Sequence, residues 1–399
     1  MKKWLLIPTA LSLLVVFNPA ITKAADFRGR LTTAVEFFDS PDGDAAVPAY
    51  LYGWLNGKNL FDAGYSLNFY GRLADDLNGE VDRDSRLYFA YLEKKDVLPD
   101  LSFRLGRQFA TTTAGSLVLD GLQLDYRIAD PYSIKAFAGG SVSFDDDYEA
   151  GDMAYGAEFR AKYDYLDVGL SYFQERDDSD LAKEMVGLDA VTGDKENFEL
   201  SADLQYSLIL EQATYFFSEA RYFGNDKYQL KAHYLWDVPV FDTTSIYSVF
   251  AASQYEELGA QFLYRLGGGL RAIAAVTSEM YEDFDNAYVY EAGFERIGSD
   301  WSGYLFGTYR DDEDGQDLRG VKAKYQMTVN RYFKPGVGIH ADVLERRLDD
   351  DDETTSTRMW AFVRSDITDD MWLEAKVEHA ESELYDEYNL ARLRFNYRF

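Results

Sequence analysis

From Phe27 to the last residue the chain alternates apolar and polar side chains with a period of two, which is the signature of β-strands. Phe27, Leu31, Val35 and Phe37 share one face of their segment, and Arg28, Arg30 and Glu36 share the other. Phe61–Leu73, Tyr155–Tyr163, Phe198–Leu208, Tyr228–Trp236 and Val321–Met327 repeat the pattern. A soluble sandwich also alternates, but here the apolar face is aromatic and aliphatic over the whole length, which favours lipid outside it. Beyond the first 24 residues no charge-free run exceeds the 13 residues of Ala45–Gly57 and Thr243–Tyr255. A spanning helix needs about 20. The other structure that satisfies its backbone in a bilayer is a closed β-barrel. The expected fold is therefore all-β, a transmembrane antiparallel up-and-down barrel.

Composition narrows the function classes. Met1–Ala24 reads as a secretory signal, with Lys2-Lys3, an apolar stretch from Trp4 to Phe17 and a short polar end at Thr22-Lys23-Ala24. The formal charge of the whole chain is −30, and removing the three signal lysines makes it about −33. Such a charge argues against nucleic acid as a partner, since its phosphates would be repelled. Zero Cys excludes a disulfide framework, thiolate metal sites and Cys-attached haem. The 31 Tyr and 27 Phe exceed ordinary usage, and barrels use them as interfacial girdles.

The connections alternate in kind. Asp39–Pro48, Ala74–Ser85, Asp145–Asp152, Asp177–Asn197, Met280–Asn286, Asp311–Asp317, Asp349–Thr357 and Glu381–Glu387 are acidic or polar and often longer. Asn56–Asn59, Ala129–Pro131, Asp164–Tyr165, Asp237–Asp242, Gly298–Asp300 and Asp366–Asp370 are tight. Long outer loops alternating with short periplasmic turns is barrel topology. The count is about 22 strands, with boundaries near Leu208–Gln212 and Tyr255–Leu258 that leave 16, 18 or 20 open. No linker or composition shift divides residues 25–399, which read as one domain.

The last segment ends in Leu393, Phe395, Tyr397 and Phe399 on one face. This resembles the assembly signal of Gram-negative outer-membrane β-barrels, in which alternating apolar residues and a terminal aromatic are recognised during insertion. Over its length the chain resembles porins and porin-like channels. Leu105–Phe109, followed by Thr111–Asp120 and a new strand at Leu122, is similar to the start of the constriction loop of general porins, although it carries only Asp120 where they carry several acids. The resemblance implies an outer-membrane barrel forming a water-filled pore for passive diffusion of small hydrophilic solutes or ions. Outer-membrane lipid, lipopolysaccharide and the barrel assembly machinery are its implied partners, with no cofactor and no enzymatic role. The alternative is a barrel sleeve that houses a periplasmic or surface multihaem cytochrome as an electron conduit.

Little else carries chemistry. No Gly-x-Ser-x-Gly elbow accompanies the three histidines, and His233 and His340 read as polar wall residues. The acidic runs make Asp311, Asp314, Asp349 and Asp351 candidate ligands for Ca²⁺ or Mg²⁺. The competing reading is a solvated, self-repelling loop. Asp311–Asp317 opens like an EF-hand loop, but its twelfth position is Lys322 and the motif fails. Gly267–Gly269 reads as a turn, not a phosphate loop. Strand phase turns Arg28, Arg30, Arg72, Arg104, Arg127, Arg160, Lys162, Lys322 and Lys324 toward the lumen, with weak anion preference as the consequence.

Overall fold

The structure, a computed structural model, describes residues 26–39, 44–61, 63–142, 148, 150–177, 179–193, 196–239, 254–282, 285–312, 317–345, 353–382 and 385–399. Among them there is no helix. The strands are β1 (Asp26–Asp39), β2 (Pro48–Leu60), β3 (Tyr65–Asp76), β4 (Arg86–Leu98), β5 (Leu101–Thr112), β6 (Gly115–Ala129), β7 (Tyr132–Val142), β8 (Ala150–Lys162), β9 (Leu166–Asp177), β10 (Asp180–Gly193) and β11 (Phe198–Ser207). They continue as β12 (Gln212–Asn225), β13 (Tyr228–Asp237), β14 (Tyr255–Gly267), β15 (Leu270–Tyr281), β16 (Ala287–Arg296), β17 (Trp301–Asp312), β18 (Leu318–Met327), β19 (Lys334–Glu345), β20 (Glu353–Asp366), β21 (Met371–Ser382) and β22 (Tyr385–Arg398). The two-residue rung Ala45–Ala46 extends β2 across Val47 and pairs with Phe38 and Asp39.

Each strand pairs antiparallel with its chain neighbours, and β1 also pairs with β22 from Arg30↔Arg398 to Phe38↔Leu390. The sheet is thus closed and has no free edge, the condition for a sheet in lipid. The last rung is made by the terminal residue: Gly29 N donates to Phe399 O at 2.8 Å and Phe399 N to Gly29 O at 3.0 Å.

One face of every strand carries exposed apolar side chains, among them Leu105, Leu170, Leu188, Phe294, Leu305 and Val377. A folded chain leaves such a continuous band bare only where lipid covers it. Outward aromatics lie near both ends of the barrel: Tyr290 stacks on Tyr309 at 6.4 Å at the end of the longer connections, and a second set lies at the other end. Tyr132 stacks on Phe159 at 5.8 Å, Phe262 on Tyr264 at 6.3 Å, and Trp301 meets Tyr325 and Tyr397 meets Phe399 at 5.7 and 5.8 Å. These rings border the short turns after the even-numbered strands and form an interfacial girdle. The connections longer than six residues all follow odd-numbered strands, at the opposite end, although β5, β9 and β21 are each followed by only two residues.

Four sequence expectations change. Asp177–Asn197 is not a loop but contains β10, whose charged residues Lys183 and Asp189 face inward while Val186 and Leu188 face outward. The inward charges disguise a strand as a polar connection. Asp237–Asp242 is not a tight turn; it begins the 238–254 connection at the long-loop end, of which 240–253 lie outside the described residues. Asn56–Asn59 belongs to β2, and the following strand begins at Tyr65 rather than Phe61. The proposed constriction loop is a hairpin, because β5 and β6 pair up to Thr112↔Gly115 around the two residues Thr113 and Ala114. The secretory segment also lies outside the described residues.

Candidate functional site: a hairpin folded into the barrel

The β5–β6 hairpin leaves the wall and bends inward. On its β4 side the pairing stops at Ala90↔Arg107, while β6 stays paired with β7 up to Val118↔Val142. The bend follows a row of three glycines, since Gly106 pairs with Gly121 and Gly121 with Gly139. Gly106 has φ +122°, and a Cβ there would lie 2.3 Å from Ala90 O. At Gly121 it would lie 2.2 Å from Ala138 O. Only residues without a side chain let these backbones approach so closely.

Beyond the bend the tip crosses to β9 and β10. Ala114 N donates to Ser171 Oγ at 2.9 Å, and Thr113 Oγ1 donates to Asp189 Oδ1 at 2.6 Å. Gly187 lies under the tip, where a Cβ would come within 2.3 Å of Ala114 N. Ser171, Gly187 and Asp189 alternate with lipid-facing Leu170 and Leu188, so the tip is inside the lumen. Ala110, Ala114 and Leu119 bury themselves against Phe137, Ala154, Phe173 and Met185 of the inner wall. The other face of the hairpin places Val118 with Val142, Tyr148 and Tyr88. Arg107 and Asp120 form a bidentate pair there, and Arg107 Nη1 also donates to the carbonyls of Leu87 and Tyr148 at 3.2 and 3.0 Å.

The wall around the hairpin's seat is a ladder of ion pairs. Arg160 meets Glu158, Asp167 and Asp189 at 3.1, 2.7 and 2.9 Å. Lys135 reaches Glu158 at 3.4 Å and donates to Thr111 O at 3.2 Å, tying the hairpin to the ladder. The pattern continues round the wall. Arg221 and Lys231 share Glu219, His233 pairs with Glu257, Arg310 bridges Glu279 and Asp312, and Arg358 and Lys376 share Glu378.

The register places Arg28, Arg30, Arg72, Arg104, Arg127, Arg160, Lys162, Lys322 and Lys324 on the face opposite the apolar band. They are spread over the wall rather than gathered at one point. Arg104 pairs with Glu93 at 3.2 Å, Lys322 with Glu291 at 3.6 Å, and Arg72 and Lys324 lie over the rings of Tyr50 and Phe362. Sequence reasoning missed Ser171, Asp189 and the Phe137–Phe173–Met185 seat. The one available signal was the set of apolar residues at inward phase, Leu117, Leu119, Phe137 and Phe173, where a wet wall calls for polar ones. Among the described residues no three His, Asp or Glu side chains are placed to hold a metal ion. Asp311 stands exposed at the end of β17, and Asp314, Asp349 and Asp351 lie outside the described residues.

The structure superposes on the translocation pore of the P pilus usher PapC with a TM-score of 0.55 at 9% identity, over 93% of this chain and 99% of that one. A second structure of the PapC pore gives 0.52 at 10% identity with the same coverage. The chain has the fold of a membrane pore barrel. A fainter likeness, TM-score 0.46 at 10% identity over 94% of this chain and 99% of that one, is to the outer membrane protein OpdK of Pseudomonas aeruginosa. No family model matches the sequence, and no curated protein matches it.

Proposed function

We propose that the protein is an outer-membrane channel that passes small hydrophilic solutes or ions by passive diffusion through a lumen narrowed by the β5–β6 hairpin. The observation that carries this reading is the wetness of the inner wall. Arg358, Lys322 and Arg221 point away from lipid, yet their side chains keep 50%, 42% and 42% of their solvent exposure. Charges sealed in a dry barrel would be prohibitively costly; these face water. Because most are paired with carboxylates, the wall's field is weak, and permeation is set by width more than by charge. The long connections face the cell exterior in this reading and the short turns face the periplasm.

The hairpin takes up lumen that a multihaem partner would need, so the sleeve reading is not favoured. The PapC structure is that of a translocation pore, in keeping with a channel rather than an enzyme. The test is swelling of liposomes that carry the refolded protein, using sugars of increasing size. Uptake that falls steeply with solute size supports the channel. Impermeable liposomes, or protein that copurifies with haem from outer membranes, would refute it.

A further inference from the structure

Among the described residues the ion-paired wall is interrupted at the closure seam. Arg30 of β1 and Arg398 of β22 are directly opposite each other on the inner face. Like charges in that relation repel. Of the nearby carboxylates, Glu36 pairs with Arg392 at 3.9 Å, and Glu374, opposite Arg394 in the register, pairs with Arg364 on its other side at 3.7 Å. Among the described residues no carboxylate forms an ion pair with Arg30, Arg394 or Arg398. Arg398 lies instead over the Trp372 ring, 5.3 Å from its centroid.

Between these arginines sits a built and unfinished hydrogen-bonding site. Thr32 pairs with Asn396, and its Oγ1 donates to Asn396 Oδ1 at 2.8 Å. Both residues are buried, at 5% and 4% exposure. That bond fixes the amide so that Nδ2 is left as the free donor, and Nδ2 is buried with no acceptor. Nε of Arg394, the next inward residue, is also buried with no acceptor. Tyr70 lies close enough to feel the charges of both Arg30 and Arg394. Two buried N–H donors without acceptors, one of them on Arg394 itself, among three guanidiniums that form no ion pair make an arrangement that costs stability unless something supplies oxygen atoms.

Resting on the channel reading, we propose that this corner of the seam is a binding site for a multiply charged tetrahedral oxyanion, the phosphate group of a solute in transit. Guanidinium forks and amide N–H groups are directional donors that match oxyanion oxygens, which a halide cannot reproduce with one spherical charge. Three unpaired arginines favour a dianion over a monoanion by simple Coulomb attraction.

The experiment is calorimetric titration of inorganic phosphate into the refolded full-length protein in detergent, with sodium chloride at equal ionic strength as the blank. Arg394→Gln and Asn396→Leu are compared with Arg271→Gln, which removes a charge paired with Glu295 elsewhere in the wall. Heat-modifiable gel mobility verifies that each variant is folded. Saturable phosphate binding is expected, weakened at least about tenfold in Arg394→Gln and Asn396→Leu and unchanged in Arg271→Gln. Equal binding in all variants, or phosphate heat no greater than chloride heat, would overturn the site. Bilayer current separates the two claims. Current without phosphate binding sinks the site and keeps the channel; phosphate binding without current does the reverse.

Discussion

Arg107 and Asp120 face each other across the inward hairpin, Nε to Oδ1 and Nη2 to Oδ2, both at 2.7 Å. Their side chains keep 13% and 33% of their exposure, so the pair is largely withdrawn from water. It stands just past the glycine row, at the last rung shared with β4, beyond which the hairpin's own cross-strand contacts must hold it together. Asp120→Ala strands the guanidinium, and should cost about 1.5–3 kcal/mol. Arg107→Ala with Asp120→Ala should cost less than the sum of the single changes. A double-mutant cycle by urea unfolding measures this, and additive effects would show that the pair does not couple.

The seat of the tip can be tested through Leu119, which is fully buried against Phe137, Phe173 and Met185. Leu119→Ala leaves a cavity there and should destabilise by about 2–5 kcal/mol. Open-channel current noise should rise as the tip loosens. A quiet channel with unchanged stability would mean that the hairpin is not held by this contact.

Inside and outside differ by one residue in β17. Leu305 points to lipid and Phe306 to the lumen. Leu305→Arg near the membrane centre should cost about 2–4 kcal/mol in folding into bilayers, and Phe306→Arg much less. Reversed costs would invert the register of the barrel.

Phe399 supplies the last rung of the seam to Gly29, and a Cβ at Gly29 would come within 2.3 Å of its ring. Deleting Phe399 removes both hydrogen bonds and the terminal aromatic. The folded, heat-modifiable fraction in outer membranes should fall. Undiminished yield would dismiss a role in closure or assembly.

Much of this fold was open to reading in the sequence because lipid imposes period two on strands such as β11 and β18. The inward phase of residues such as Arg160 and His233 follows from that rule alone, whereas the expectation of about 22 strands, with 16, 18 or 20 left open, rests also on the alternating connections. The rule fails where a strand's inward face is charged, as in β10, and its ends look like loop. The hairpin was legible only in place, not in form. Its seat joins Thr113 to Asp189, 76 residues apart, and no local pattern encodes which inner wall a bent hairpin will reach. The seam site was hidden for the same reason, since Thr32 and Asn396 meet only when the barrel closes.

The channel account is tested most directly by single-channel conductance of the refolded protein beside a variant in which residues 108–119 are replaced by a short glycine-containing turn. The account predicts a stable open current for the parent and a severalfold larger one for the variant, as the narrowing is removed. No current from either protein, or equal conductance from both, would contradict it.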